Sequence, residues 1–336
     1  MLTDLWVIVM LIGDIFVLVF SVYAVGIGVQ IARKWDIQSS TDEQLLLERK
    51  THLVSTVMNY VFGFQMISLL LFVVTVNDHF PALIKGAMCG TGALNTNSFG
   101  WMTLYLKIGG FFIYGLWLVI NNLDQKIPEF PLTRQKFYLL LVLIPFIFIQ
   151  IYSEVQYYLN INPNIITTCC SISFSDNPMS QNSFDSSDNE SVKVYLFYGL
   201  LIFYVILAVL GLKKRQTKLL QRTGYVTGLL SPLLFIAALD ALIVHFSKYI
   251  YAMPSHHCPF DMLWANYLHV GYLLYGLLFT GGLTGMSAGL MVFFSKNNSI
   301  SDIAGMMKIR FIKTSLFCFI AYTFLIALIK YGWTII

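Results

Sequence analysis

Sulfur and imidazole are the groups in this 336-residue chain best suited to redox or soft-metal chemistry, and they gather in a few polar loops between apolar stretches. Cys89 lies in Lys85-Gly86-Ala87-Met88-Cys89-Gly90-Thr91-Gly92, with His79 ahead of it in the same loop. Cys169 and Cys170 are adjacent, and Cys258 closes the segment Met253-Pro254-Ser255-His256-His257-Cys258. Thiolate, imidazole and the thioethers of Met88 and Met253 suit Cu(I) best, with zinc next. On this reading His79, His256, His257 and Cys258 are metal ligands, while Cys89, Cys169, Cys170 and Cys258 are the reactive thiols. Nearby imidazolium groups and a following helix N-terminus would favour the Cys258 thiolate. Gly90 and Gly92 let the backbone approach a ligand or another sulfur closely. The same four cysteines in an oxidising compartment could instead form two structural disulfides. Neighbouring cysteines bond each other only with strain, so the simplest pattern joins Cys169 and Cys170 separately to Cys89 and Cys258. Cys318 stands in an apolar run and reads as a core residue.

A second set of groups lies inside the apolar stretches themselves: Asp14, Gln65, Lys107, Gln150, Glu154, Asp240, His245, Asn266 and His269. Charge buried in hydrocarbon is costly, so these side chains should face one another or a hydrated cavity. Lys107, Asp240 and Glu154 are the candidates to line such a cavity, and a structural Lys107–Asp240 pair is the alternative. Gln150, Glu154 and Tyr157 or Tyr158 follow helical spacing and form one polar stripe. His245 and His269 fall at similar depth on adjacent antiparallel helices, where they could ligate haem b or bond to neighbouring side chains.

The elements that must position these residues are membrane-spanning helices. Hydrophobic residues make up 57% of the chain and charged residues 11%, against about 25% charged in soluble proteins. Stretches long enough to cross a bilayer predict eight helices, at about 5–31, 53–76, 99–121, 137–158, 194–212, 223–248, 263–294 and 314–333. No sizeable soluble domain remains, so the expectation is an all-α, polytopic helical bundle forming a single integral-membrane domain over 1–336. Of the 21 Lys and Arg residues, 16 fall in loops 32–52, 122–136, 213–222 and 295–313. The positive-inside rule then makes those loops cytoplasmic and both termini extracytoplasmic, in a plasma membrane. The first apolar run has Asp4 before it and Arg33 and Lys34 after it, the reverse of a cleavable signal, and should remain as a helix. The Ser/Asn/Asp-rich stretch 175–191 predicts a mobile, solvated extracytoplasmic loop. No internal repeat is visible. Gly281, Gly285 and Gly289 align on one helix face for close packing.

Four extracytoplasmic cysteines over a helical bundle resemble quinone-linked disulfide-forming membrane enzymes and vitamin K epoxide reductases. Those carry Cys-x-x-Cys at a helix start. Here Cys258-Pro259-Phe260-Asp261 places Asp261 where the second cysteine would stand. Phosphate-binding glycine loops, Cys-x-x-Cys-His and His-Glu-x-x-His are absent from the sequence. The formal net charge of +4 resides in the cytoplasmic loops and gives no reason to invoke nucleic acid. The expected function is redox or soft-metal (copper or haem) handling at an extracytoplasmic Cys/His/Met cluster. Its partners would be the lipid bilayer, an extracytoplasmic redox or metal-carrying protein, or other membrane subunits. The alternatives are a small-solute permease braced by disulfides, and a non-catalytic anchor subunit that docks through the glycine face.

Overall fold

The computed structural model describes residues 4–35, 41–127, 130–164, 167, 190–213, 218–253, 256–295 and 300–332. Among them the chain is all-α, with eight helices long and apolar enough to span a membrane. They are α1 Leu5–Lys34, α2 Asp42–Val74, α3 Phe99–Gln125, α4 Thr133–Leu159, α5 Glu190–Lys213, α6 Lys218–Ala241, α7 Val270–Phe294 and α8 Ser301–Gly332. Large apolar side chains such as Phe16, Val142, Leu229 and Phe317 stay exposed, as a lipid-facing surface requires.

Three helices start furthest from the expected bounds. α2 opens at Asp42 and α8 at Ser301, both well before their apolar runs. Their added turns hold good helix formers, and Asp42, Glu43 and Asp302 complement the positive helix start. α7 instead begins late, at Val270. Residues 261–263 and 265–267 form tight 3₁₀ turns, and Leu268 and His269 adopt left-handed backbone with φ of 55° and 54°. The stretch expected to be a mobile loop lies outside the described residues except for Glu190 and Ser191, which open α5.

The chain divides into two compact units. The first comprises 1–85 and 93–165, and holds α1 to α4. The second comprises 86–92 and 166–336, and holds α5 to α8. In the first unit α1 packs on α2, α2 on α3, α3 on α4 and α4 back on α1. Its core includes Met58, Phe62, Tyr114, Trp117, Phe137 and Ile147, with the Phe62 ring stacked on Tyr114 at 5.0 Å and edge-on to Trp117 at 4.9 Å.

The second unit closes the same ring with α5 on α6, α6 on α7, α7 on α8 and α8 on α5. Small residues set its spacing. A Cβ built on Gly228 would come within 2.6 Å of the Gly289 Cα, and one on Gly285 within 2.2 Å of the Ser231 hydroxyl. Ser231 donates to the Gly282 carbonyl at 3.0 Å and Ser315 to that of Gly281 at 2.7 Å. The glycine face of α7 is therefore spent inside its own unit. It cannot serve as the docking face of an anchor subunit.

A shared layout underlies both units although no repeat is visible in the residues. In each, the second helix runs into a π-turn, Thr75–His79 after α2 and Leu242–Phe246 after α6. Each π-turn carries a histidine that bonds a carboxylate at the start of the unit's first helix. His79 meets Asp4 at 2.6 Å, and His245 meets Glu190. Such turns add a residue and re-aim side chains, often at sites under selection for more than packing.

Candidate functional site

In the second unit, two of the predicted thiols come together. Among the described residues no disulfide forms; instead the sulfurs of Cys89 and Cys258 and a carboxylate oxygen of Asp261 all lie within 4.8 Å of one another. Cys89 is 3% exposed, Cys258 fully buried and Asp261 7% exposed. The loop geometry explains the convergence. Gly90, next to Cys89, packs so tightly on Phe260 that a Cβ there would sit 2.8 Å from the ring. The backbone carbonyls of Cys258 and Pro259 accept hydrogen bonds from Tyr251 and Tyr275, the latter at 2.6 Å, and the Tyr251 hydroxyl accepts the Met262 N–H at 2.9 Å. Two tyrosines on the flanking helices thus pin the Cys258–Met262 turn.

Cys258 donates to Asp261 Oδ1 at 3.3 Å and accepts the Phe260 N–H at 3.4 Å, with the Thr91 hydroxyl 3.7 Å from its sulfur. His256 Nε2 bonds the other Asp261 oxygen at 2.7 Å. Burial, followed by the nearby Cys89, pushes the Asp261 carboxyl above its ordinary range, while the hydrogen bonds from Cys258 and His256 pull it back. Two sulfurs and one oxygen form a three-point donor set. Tetrahedral zinc with Zn–S bonds of ~2.3 Å holds its sulfurs about 3.8 Å apart, which falls inside the observed bound. The histidine on the far carboxylate oxygen would orient that ligand, as carboxylate–imidazole partners do around metals.

The other predicted ligands are placed differently. Met88 and Met253 are 73% and 46% exposed, so the thioethers expected to favour Cu(I) do not join the buried set. His257 faces the Ser247 hydroxyl and the Ile243 carbonyl, both at 3.3 Å, and His79 bonds Asp4. Of the three predicted imidazole ligands, only His256 reaches the cluster, through Asp261. Cys169 and Cys170 lie outside the described residues. His245 Nδ1 is held by Glu190, which Lys248 also contacts, and His269 Nδ1 by the Leu263 carbonyl at 2.6 Å. The shallow groove lined by Phe246, Tyr249, Ile250, Ile326 and Ile329 encloses no space large enough for a water molecule. Binding pockets for small molecules start at roughly 300 Å³.

The predicted cavity residues separate into two pairs. Lys107 forms an ion pair with Glu154 at 2.6 Å inside the first unit, both side chains fully buried. Asp240 pairs with Lys193 at 3.2 Å in the second unit, so each charge of the expected Lys107–Asp240 pair has a partner within its own unit. Around Lys107, Ser68 accepts at 2.6 Å and Tyr158 donates to Glu154 at 3.0 Å. Tyr114 donates to Gln150 and Gln150 to Gln65, each at 2.9 Å. Asp14 lies against Glu154, Lys107 and Gln65. The predicted stripe Gln150, Glu154, Tyr157 and Tyr158 is buried throughout.

Sequence reasoning missed two features. Lys136, counted among the loop charges, forms a buried pair at 2.6 Å with Asp124, and Asn121 and Asn59 extend it by further hydrogen bonds. Asp124 also accepts from the Leu132 amide at 2.8 Å and the Thr133 hydroxyl at 3.1 Å, capping α4. The other is Asp261. Read as the residue that breaks Cys-x-x-Cys, it is the third donor of the cluster, and its spacing from Cys258 was the available signal. Comparison of the chain with protein families, with curated proteins and with solved structures gave no match.

Proposed function

We propose that this multi-pass membrane protein binds a thiophilic divalent cation, zinc first, at Cys89, Cys258 and Asp261. The site would lie at the extracytoplasmic face that the distribution of Lys and Arg assigns to these loops. The reading rests on one observation: two thiols and a carboxylate from two loops converge within 4.8 Å in a buried position. A carboxylate beside two thiols opposes thiolate formation unless a cation balances the charge, so the cluster makes electrostatic sense around a metal. The hard oxygen donor tilts the preference from Cu(I) to zinc. Three protein ligands leave one position open, the arrangement of exchanging or reacting sites rather than closed structural ones. The function is therefore metal handling, in which an extracytoplasmic carrier donates or receives the ion.

The test is metal content and Co²⁺ titration of the purified chain. One equivalent with thiolate-to-cobalt absorption is expected. Cys89→Ser and Cys258→Ser should abolish that absorption while helicity is kept, and His256→Ala should weaken binding roughly 10–100-fold. Absence of binding, or binding indifferent to both cysteines, refutes the reading. A second reading draws on the same proximity. Sulfurs this close need only a short approach to the ~2.05 Å of a disulfide. A Cys89–Cys258 crosslink in the native protein, found by alkylation mass spectrometry, would favour thiol exchange over metal binding.

A further inference from the structure

The interior of the first unit presents a charge imbalance that packing alone does not explain. Asp14 from α1 and Glu154 from α4 are 2% and 0% exposed, and both lie against Lys107 from α3, which is 1% exposed. Two carboxyls face one ammonium. The remaining titratable groups around them are the hydroxyls of Tyr114 on α3 and of Tyr158, beside Tyr157, on α4; α2 contributes only the neutral Gln65 and Ser68. With both carboxyls ionised, the cluster would carry an uncompensated negative charge in a low-dielectric interior. A buried group in that position takes up a proton rather than bear the cost. The contacts agree: Glu154 meets Lys107 and Tyr158, whereas Asp14 meets Glu154 and Gln65, with its Oδ2 fully enclosed.

We propose that Asp14 and Glu154 together bind one exchangeable proton, with Lys107 as the fixed counter-ion, making the core of the first unit an intramembrane proton-binding site. The proton comes from water and joins a carboxylate oxygen, and the cluster passes from a net charge of minus one to zero. In the neutral state Lys107 and one carboxylate form the ion pair while the protonated acid donates to its partner. The site is independent of the Cys89–Cys258–Asp261 reading and stands or falls without it.

The experiment is infrared spectroscopy of the full chain in lipid nanodiscs, following the protonated-carboxyl carbonyl band through a pH titration and an exchange into D₂O. Wild type at neutral pH should show a buried protonated carboxyl that shifts in D₂O. Asp14→Asn and Glu154→Gln should each remove it, because one carboxylate then suffices for Lys107. Lys107→Met should do the opposite and roughly double it, since both acids become protonated. That gain cannot come from unfolding, which would ionise them. If wild type lacks the band at neutral pH, or if both carboxyl variants keep it, the proposal is overturned. The wild-type measurement alone decides the matter should a variant fail to fold.

Discussion

Lys107→Met is the perturbation whose consequence follows most directly from the geometry. At 2.6 Å, and with an effective dielectric constant of ~20, the attraction between Lys107 and Glu154 has a gross value of about 6 kcal/mol. Removing both charges from water offsets most of that. The decisive quantity is what each single substitution leaves behind. Without Lys107 the second carboxyl must also take up a proton to stay buried, and the cost should approach the about 3–5 kcal/mol measured when one partner of a buried pair is removed. Glu154→Gln is different. Asp14 is in place to ionise and pair with Lys107, and glutamine still accepts from Tyr158, so the loss should be close to one buried hydrogen bond, about 1–2 kcal/mol. The assay is reversible unfolding in mixed detergent micelles followed by helical circular dichroism, with the double variant completing the cycle. The reasoning fails if Lys107→Met costs under about 1 kcal/mol. It fails equally if Glu154→Gln costs as much as Lys107→Met, because Asp14 would then not be the reserve counter-ion.

Two further outcomes test other parts of the fold. Gly289→Leu should destabilise the second unit by roughly 1–3 kcal/mol or more, since its backbone already touches Gly228, whereas Gly276→Ala, where an added Cβ meets nothing, should be neutral or better; equal melting temperatures for the two variants would contradict the packing. The Asp4 carboxyl feels a burial penalty that is outweighed by bonds from His79 and the Trp6 and Val7 amides, which hold it below its ordinary value of 3.8. A depressed carboxylate contributes stability above that value and loses it as pH falls through its folded value. The difference in stability between wild type and Asp4→Asn, about 0.3–1 kcal/mol at neutral pH, should therefore close below pH 3.8, and a gap that widens on acidification would refute the assignment.

The spanning helices were legible because each apolar run is long and nearly free of charge, and the α7 glycines were legible because small residues four apart have one obvious use. What escaped was everything decided by a partner distant in sequence. Lys107 has two plausible acids by depth, Asp240 and Glu154, and only the packing order of helices within each ring selects Glu154. Lys136 looks like a solvated loop charge because its partner Asp124 sits across a turn, and the hydrogen bonds that make burial tolerable come from Asn121 and the start of α4. The ends of α2 and α8 were misplaced for a simpler reason: hydropathy marks the membrane, whereas the helix continues as long as its residues favour helix. Cys89 and Cys258 were read as two of four thiols for metal, redox or disulfide chemistry, with imidazoles and thioethers as their company. The structure instead gives them Asp261, a residue weighed only for what it failed to be.

The two units close the same ring of four helices with opposite solutions to the interior. In the first, long side chains reach inward and their polar ends satisfy one another: Lys107 with Glu154 and Ser68, Gln150 with Gln65 and Tyr114, Lys136 with Asp124 and Asn121. In the second, Gly228, Gly281, Gly285 and Gly289 bring backbones into contact, and Ser231 and Ser315 bond directly to carbonyls of α7. A backbone-to-backbone contact leaves little room for long polar side chains between α6 and α7, and Cys89, Cys258 and Asp261 meet beyond the helix ends. The polar interior of the first unit can hold charge within the membrane itself. What the two rings share lies at the rim: a carboxylate opening the first helix and a histidine in the π-turn of the second, Asp4 with His79 and Glu190 with His245.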